Sequence, residues 1–153
     1  MKNRRSDERN RMSISLPALS VNEGMARSAV AAFCAQQNPS ATELADIKCA
    51  ISEAVTNCIV HAYPNGAGII YITVVLYVDG TVRVVIKDKG CGIADVRRAR
   101  EPLFTTDAAN ERSGMGVTVM ENFMDRLVVR SRPGKGTVVI MTKRIGIDPA
   151  IKE

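Results

Sequence analysis

The chain has 153 residues, 46% of them apolar and 24% charged, which describes one soluble globular domain with a real core rather than a disordered chain. No run of about 18 apolar residues occurs, so nothing is expected to span a membrane, and the polar start lacks the apolar segment of a secretory signal, so a cytoplasmic protein with no membrane partner is expected. The net charge is +5.

Much of that charge sits near the start, where Lys2, Arg4, Arg5, Arg9 and Arg11 outweigh Asp7 and Glu8; residues 1–10 are read as a disordered basic tail ahead of a single domain over residues 11–145, with a second tail over residues 146–153. No helix-turn-helix or zinc-finger pattern is present, so direct nucleic-acid binding is not expected. From Arg11 to Leu16 polar and apolar residues alternate, with Met12, Ile14 and Leu16 on one face: a short strand closed by Pro17. Ser20 or Asn22 caps a helix predicted to run to about Gln37, and Asn38-Pro39 ends it. Ser40 or Thr42 starts a second helix to about Ala62, with Leu44, Ile47, Ile51, Val55, Cys58 and Ile59 as its apolar stripe.

Ile69 to Val78 and Val82 to Lys87 read as strands. Matching their apolar faces requires Val78 opposite Val82, hence a three-residue turn from Asp79 to Thr81. Residues 88–113 have little periodicity, a short helix near Ala94 to Arg100 is expected, and loops of that length are usually functional or mobile. A helix over about Met115 to Asp125 and strands over Arg126 to Ser131 and Thr137 to Thr142 complete the chain. The order β-α-α-β-β-α-β-β predicts an α+β fold, a mixed and mostly antiparallel sheet with helices on one face. The four cysteines form no CxxC pair and there is one histidine, which argues against a zinc site.

Four segments carry chemistry. Glu53 and Asn57 lie four apart on the second helix and share a face. Two readings are open: a solvated face, or a carboxylate base beside an amide oxygen that ligates a hard cation such as Mg2+. Asp88-Lys89-Gly90-Cys91-Gly92 follows a strand directly. It is either an ordinary turn or a site where glycines let backbone approach a flat ligand and the carboxylate accepts from an adenine amino group. Arg112-Ser113-Gly114-Met115-Gly116 opens a helix, as a flexible cap or an anion site built from free N–H groups and the helix dipole. Gly134-Lys135-Gly136-Thr137 enters the last strand and alone is a hairpin turn. The P-loop pattern, GxxxxGKS or GxxxxGKT, and GxGxxG are both absent.

In order, these segments resemble the N, G1, G2 and G3 boxes of the GHKL superfamily, which includes gyrase, Hsp90, the histidine kinases and MutL. The wording SEAVTNCIVHAY, PLFTT, ERSGMG and VMENFMD resembles the anti-sigma F branch from about Met12 to Lys143. The resemblance implies a two-layer α/β sandwich of the Bergerat type, with ATP between the helical layer and a lid. By motif position Asn57 ligates Mg2+, Glu53 orients or deprotonates the attacking hydroxyl, and Asp88 reads adenine beside Gly90 and Gly92, with Thr137 in support. Arg112, Ser113, Gly114, Met115 and Gly116 close on the phosphates, and Thr105 and Thr106 lie in the lid. The implied activity is a protein serine/threonine kinase that phosphorylates an anti-anti-sigma factor and, as an ATP-bound homodimer, holds a sporulation sigma factor (sigma F). Two alternatives stay open: a general-stress anti-sigma kinase, and an ATP-gated binding module without transferase activity. Arg27 on the first helix is expected to face partners, His61 to be structural, and Cys91 occupies a variable place in its box.

Overall fold

A computed structural model describes residues 7–65, 67–94 and 112–146, with residues 112–116 as backbone only. The element order matches the sequence reading. Strand β1 (Glu8–Pro17) leads into helix α1 (Asn22–Cys34), a 3-10 turn (Ala35–Gln37), helix α2 (Ala41–Asn57) and a π turn (Cys58–Ala62). Strands β2 (Ile69–Tyr77) and β3 (Thr81–Asp88), helix α3 (Arg112–Phe123) and strands β4 (Arg126–Arg132) and β5 (Gly136–Arg144) follow. The strands form one sheet in the order β1-β2-β3-β5-β4. Every pairing among the described residues is antiparallel, so the expected mixed sheet contains no parallel pair there.

Alternation along the strands creates the two layers. Ile70, Ile72, Val74 and Leu76 of β2, and Val82, Val84 and Ile86 of β3, are buried on the face that meets Val30, Ile47, Ile51, Val55 and Met120 from the helices. Each such side chain contributes about 1.5–3 kcal/mol on leaving water. Lys143, on β5, ties the layers together: its Nζ donates to the Phe123 carbonyl at the end of α3 (2.9 Å) and stands 3.6 Å from Asp46 of α2.

Four local expectations are corrected. β1 begins at Glu8, inside the expected basic tail, because its backbone completes the β2 edge and Arg11 pairs with Glu8. There Arg9 donates to the buried Gln37 (3.0 Å), whose amide donates onward to the Tyr77 carbonyl (2.8 Å). Neither Ser20 nor Asn22 caps α1: the cap position is Val21, and the Asn22 amide instead donates to the Pro17 carbonyl at 2.9 Å. The β2–β3 turn has three residues, but they are Val78 to Gly80, since Leu76 pairs with Val82. Gly80 takes a φ of 92° and Asp79 accepts from the Thr81 N–H at 2.9 Å, which fixes the turn one residue earlier. The register moves by two, so the apolar faces still agree and only Val78 is lost from the core, 73% exposed. Finally, α2 is α-helical only to Asn57 before widening into the π turn. The expected helix near residues 94–100 falls mostly outside the described residues.

Ser40 alone, of the two predicted cap residues, starts α2. Its hydroxyl accepts from the Glu43 N–H (3.0 Å) while its own N–H donates to the Glu43 carboxylate (2.9 Å). Ser40→Ala is expected to cost about 1 kcal/mol, read as a fall in Tm of about 2–4 °C by calorimetry.

Candidate functional site

The last residue of β3 is Asp88, whose place in the β3 alternation turns it toward the helices, and it is 5% exposed. One carboxylate oxygen, Oδ1, accepts from the N–H of Gly90 (3.0 Å) and of Thr137 (3.2 Å). The other, Oδ2, accepts from the Cys58 thiol at 3.6 Å. No basic side chain pairs with it among the described residues. A buried carboxylate ordinarily has such a partner. A carboxylate offers about four acceptor positions, so one on Oδ2 has no donor among the described residues.

Thr137 stands beside Asp88 because β3 and β5 pair them directly. The Ser131 hydroxyl donates its one proton to the Gly136 carbonyl (3.0 Å) and accepts from the Ile93 N–H (2.7 Å). Its 2.8 Å contact with the Thr137 hydroxyl therefore has Thr137 as donor, which leaves the Thr137 oxygen as an acceptor.

The glycines of this region stand close to the protein's own backbone. A Cβ on Gly90 would collide with the Ala62 carbonyl oxygen at the end of the π turn. On Gly92, at a φ of 74°, it would strike the Arg132 carbonyl, and on Gly136, at 106°, the Asp88 carbonyl. Hydrogen bonds hold these approaches: Cys91 N–H to the Ala62 carbonyl (3.0 Å) and Gly134 N–H to the Cys91 carbonyl (2.7 Å). Tyr63 adds a clamp, its hydroxyl accepting from the Lys89 N–H (2.6 Å) and donating to the Ile69 carbonyl (2.9 Å). Sequence reasoning missed Tyr63 and Ser131 and took Cys58 only as a stripe residue. The placement of Tyr63 just after the helix, in His61-Ala62-Tyr63, was the available signal.

Glu53 and Asn57 sit one turn apart on α2, both half-buried, and neither has a hydrogen-bond partner among the described residues. Asn57 immediately precedes Cys58, so the N segment, the Asp88 loop and the entry to β5 converge on one place. The third segment opens α3 at Arg112, three residues before the predicted start. Side chains of residues 112–116 lie outside the described residues, as do Thr105 and Thr106 entirely. His61 lies in the π turn, where its carbonyl accepts from the Cys91 thiol at 3.1 Å. Arg27 pairs with Glu23 (3.6 Å), and Glu23 also accepts from Ser52 of α2 (2.6 Å).

Comparison with known proteins places this arrangement. A family model described as the histidine kinase-like ATPase domain matches residues 16–143. The anti-sigma F factor of Geobacillus sp. (strain WCH70) is 55% identical over 138 residues, 90% of this chain and 94% of that protein. That of Caldanaerobacter subterraneus subsp. tengcongensis is 54% identical over 137 residues, 90% of this chain and 95% of its own length. The chain belongs to the anti-sigma F factor family. Solved structures agree on the fold of this family. The RsbU and RsbW domains of a Mycobacterium tuberculosis protein superpose with a TM-score of 0.67 at 22% identity, covering 91% of this chain and 33% of that one. The catalytic domain of the histidine kinase ThkA gives 0.55 at 18% identity, covering 88% and 96%.

This anti-sigma F family member carries four free thiols of two kinds. Cys34 and Cys58 are buried, Cys49 and Cys91 exposed. Burial pushes the Cys34 thiol up to about 12. Burial, reinforced by the Asp88 charge, pushes that of Cys58 up as well. At pH 8 a thiol reagent is expected to modify two cysteines quickly and all four only after unfolding. A thiol whose pKa is raised by folding favours the native state fully below its unfolded value, about 8.5. That contribution declines as pH rises toward the folded value, so denaturation midpoints should fall between pH 8.5 and 11. Two buried thiols that react as fast as the exposed ones would contradict the burial.

Proposed function

We propose that this protein is a cytoplasmic anti-sigma factor and ATP-dependent serine/threonine kinase. In this reading it holds a sigma factor of the sigma F type and phosphorylates an anti-anti-sigma factor on serine. The observation that carries it is the Asp88 carboxylate: buried, without a cation among the described residues, and with one acceptor position on Oδ2 that no described residue fills. Such a position fits the exocyclic amino group of adenine, the donor that separates ATP from GTP at that edge. The relatives' name and the histidine kinase-like ATPase family support the same reading.

The residues then divide by role. Asp88 Oδ2 accepts from the base, and the Thr137 oxygen offers a second acceptor beside it. Gly90 and Gly92 keep the loop pressed against the π turn and the β4–β5 turn, so that the carboxylate cannot swing away. Asn57 supplies an amide oxygen for Mg2+. Among the described residues no group of three acidic, histidine or cysteine side chains is placed to cage an ion. The ion would accordingly draw on phosphate and water oxygens, as Mg2+ commonly does, and it would supply charge neutralisation at the triphosphate. Glu53, one turn before Asn57, orients the attacking serine hydroxyl and takes its proton. The backbone N–H groups of residues 112–116 face phosphate at the start of α3, with Arg112 adding a guanidinium. Thr105 and Thr106 belong to the lid over the site.

For the partner surface, α1 offers Arg27 and Met25, and the turn before it Leu19 and Val21; these three apolar side chains are exposed, Leu19 at 49, Val21 at 78 and Met25 at 62%. Exposed apolar residues close in sequence to a charged anchor are the usual composition of a protein contact. The homodimer assigned to the family would present this surface twice.

Glu53→Ala should abolish transfer of labelled phosphate to the anti-anti-sigma factor, at least 100-fold by the usual contribution of a general base, while ATP affinity changes by less than about threefold. Normal transfer by that variant would remove Glu53 from its role. Wild-type protein that binds ATP yet yields no phosphoserine would leave the ATP-gated binding module. Capture of a stress sigma factor in preference to sigma F would transfer the assignment to the general-stress branch.

A further inference from the structure

Cys58 does more than fill the core. It is the first residue beyond the α-helical part of α2, and its thiol is buried against a carboxylate. A cysteine that only packs among apolar groups behaves as a small hydrophobe, and alanine would serve nearly as well. Here the neighbour is Asp88, whose other oxygen already has two backbone donors, from Gly90 and Thr137. Without the thiol, Oδ2 would be left with both its acceptor positions open in a buried site, which is costly.

We propose that Cys58 is a positioning residue for base selection: its S–H occupies one acceptor position of Asp88 Oδ2, so that the carboxylate offers a single, fixed position to the amino group of a purine. The proposal rests on the reading of Asp88 as the group that receives the base. The thiol is suited to the task because it stays a donor. Its Sγ stands 3.6 Å from Oδ2 in a buried site, where the S–H has the carboxylate to donate to. The weak S–H donor also leaves Oδ2 a strong acceptor for its second partner, where a hydroxyl or an amide would draw more on the same oxygen. The chain connectivity adds a consequence. Asn57 and Cys58 are adjacent, and successive helical residues point about 100° apart. One step along α2 thus turns one side chain toward the proposed metal and the next toward the base-reading carboxylate, and a shift of the π turn would move both.

The test compares ATP with purine riboside 5′-triphosphate, which lacks the 6-amino group, by titration calorimetry on wild type, Cys58→Ala and Cys58→Ser. Wild type should prefer ATP. Cys58→Ala should lose about three- to tenfold in ATP affinity, the scale of one hydrogen bond, with the analogue's affinity unchanged, so that the preference collapses. Cys58→Ser, which keeps a donor, should retain most of it. An alanine variant whose two affinities fall together would show a packing role and overturn the proposal, as would a serine variant no more selective than alanine. The preference is a ratio taken within each protein, so partial destabilisation does not mask it, and the serine variant alone decides if alanine does not fold. Wild type without any preference for ATP would instead refute the base-reading role of Asp88.

Discussion

A buried carboxylate, with no basic partner among the described residues, organises this structure. Asp88 ends β3 inside the helical layer, and the fold meets its charge with two backbone N–H groups and a thiol drawn from three separate parts of the chain. Each donor needs its own element in register. The Thr137 N–H depends on β5 lying beside β3, the Gly90 N–H on a tight turn after the strand, and Cys58 on the end of α2 reaching the sheet. A buried charge that is only partly compensated is expensive, so these placements are coupled. Loosening one weakens the case for the others.

The glycines follow from the same constraint. Gly90, Gly92 and Gly136 each stand where a side chain would meet a carbonyl oxygen of the chain itself. They let three backbones crowd round Asp88: the π turn, the β4–β5 turn and the loop. In sequence, the glycine spacing after Asp88 looks like a cradle for a ligand. In the structure it is a clasp for the carboxylate that would receive one. Both descriptions lead to a fixed acceptor, but the second explains why glycine is needed even in the absence of any ligand.

The π turn at Cys58–Ala62 is the other departure with a purpose. A π turn is rare and often marks a functional place in a helix. Here it frees the Ala62 carbonyl to accept from the Cys91 N–H and brings Cys58 to Asp88. A regular helix through the same residues would present a different carbonyl and a different side chain to the loop. Nothing in the periodicity of Ile51, Val55, Cys58 and Ile59 distinguishes the two, because a single widened turn barely alters the stripe.

The sequence by itself determined the elements, their order and the faces that meet in the core, since alternation and helical spacing are local properties of Ile70 to Leu76 or Ile47 to Val55. It also narrowed the start of α2 to Ser40 or Thr42, because helix caps are set by contacts a few residues apart. It singled out Glu53, Asn57, Asp88 and Thr137 by spacing and by resemblance. Only the tertiary structure decided which oxygen of Asp88 is spoken for, that Tyr63 and Ser131 hold the site's walls, and that Val78 leaves the core while Glu8 joins the sheet. Those outcomes depend on how turns, strands and helix ends meet in one register, and no local pattern records such a meeting.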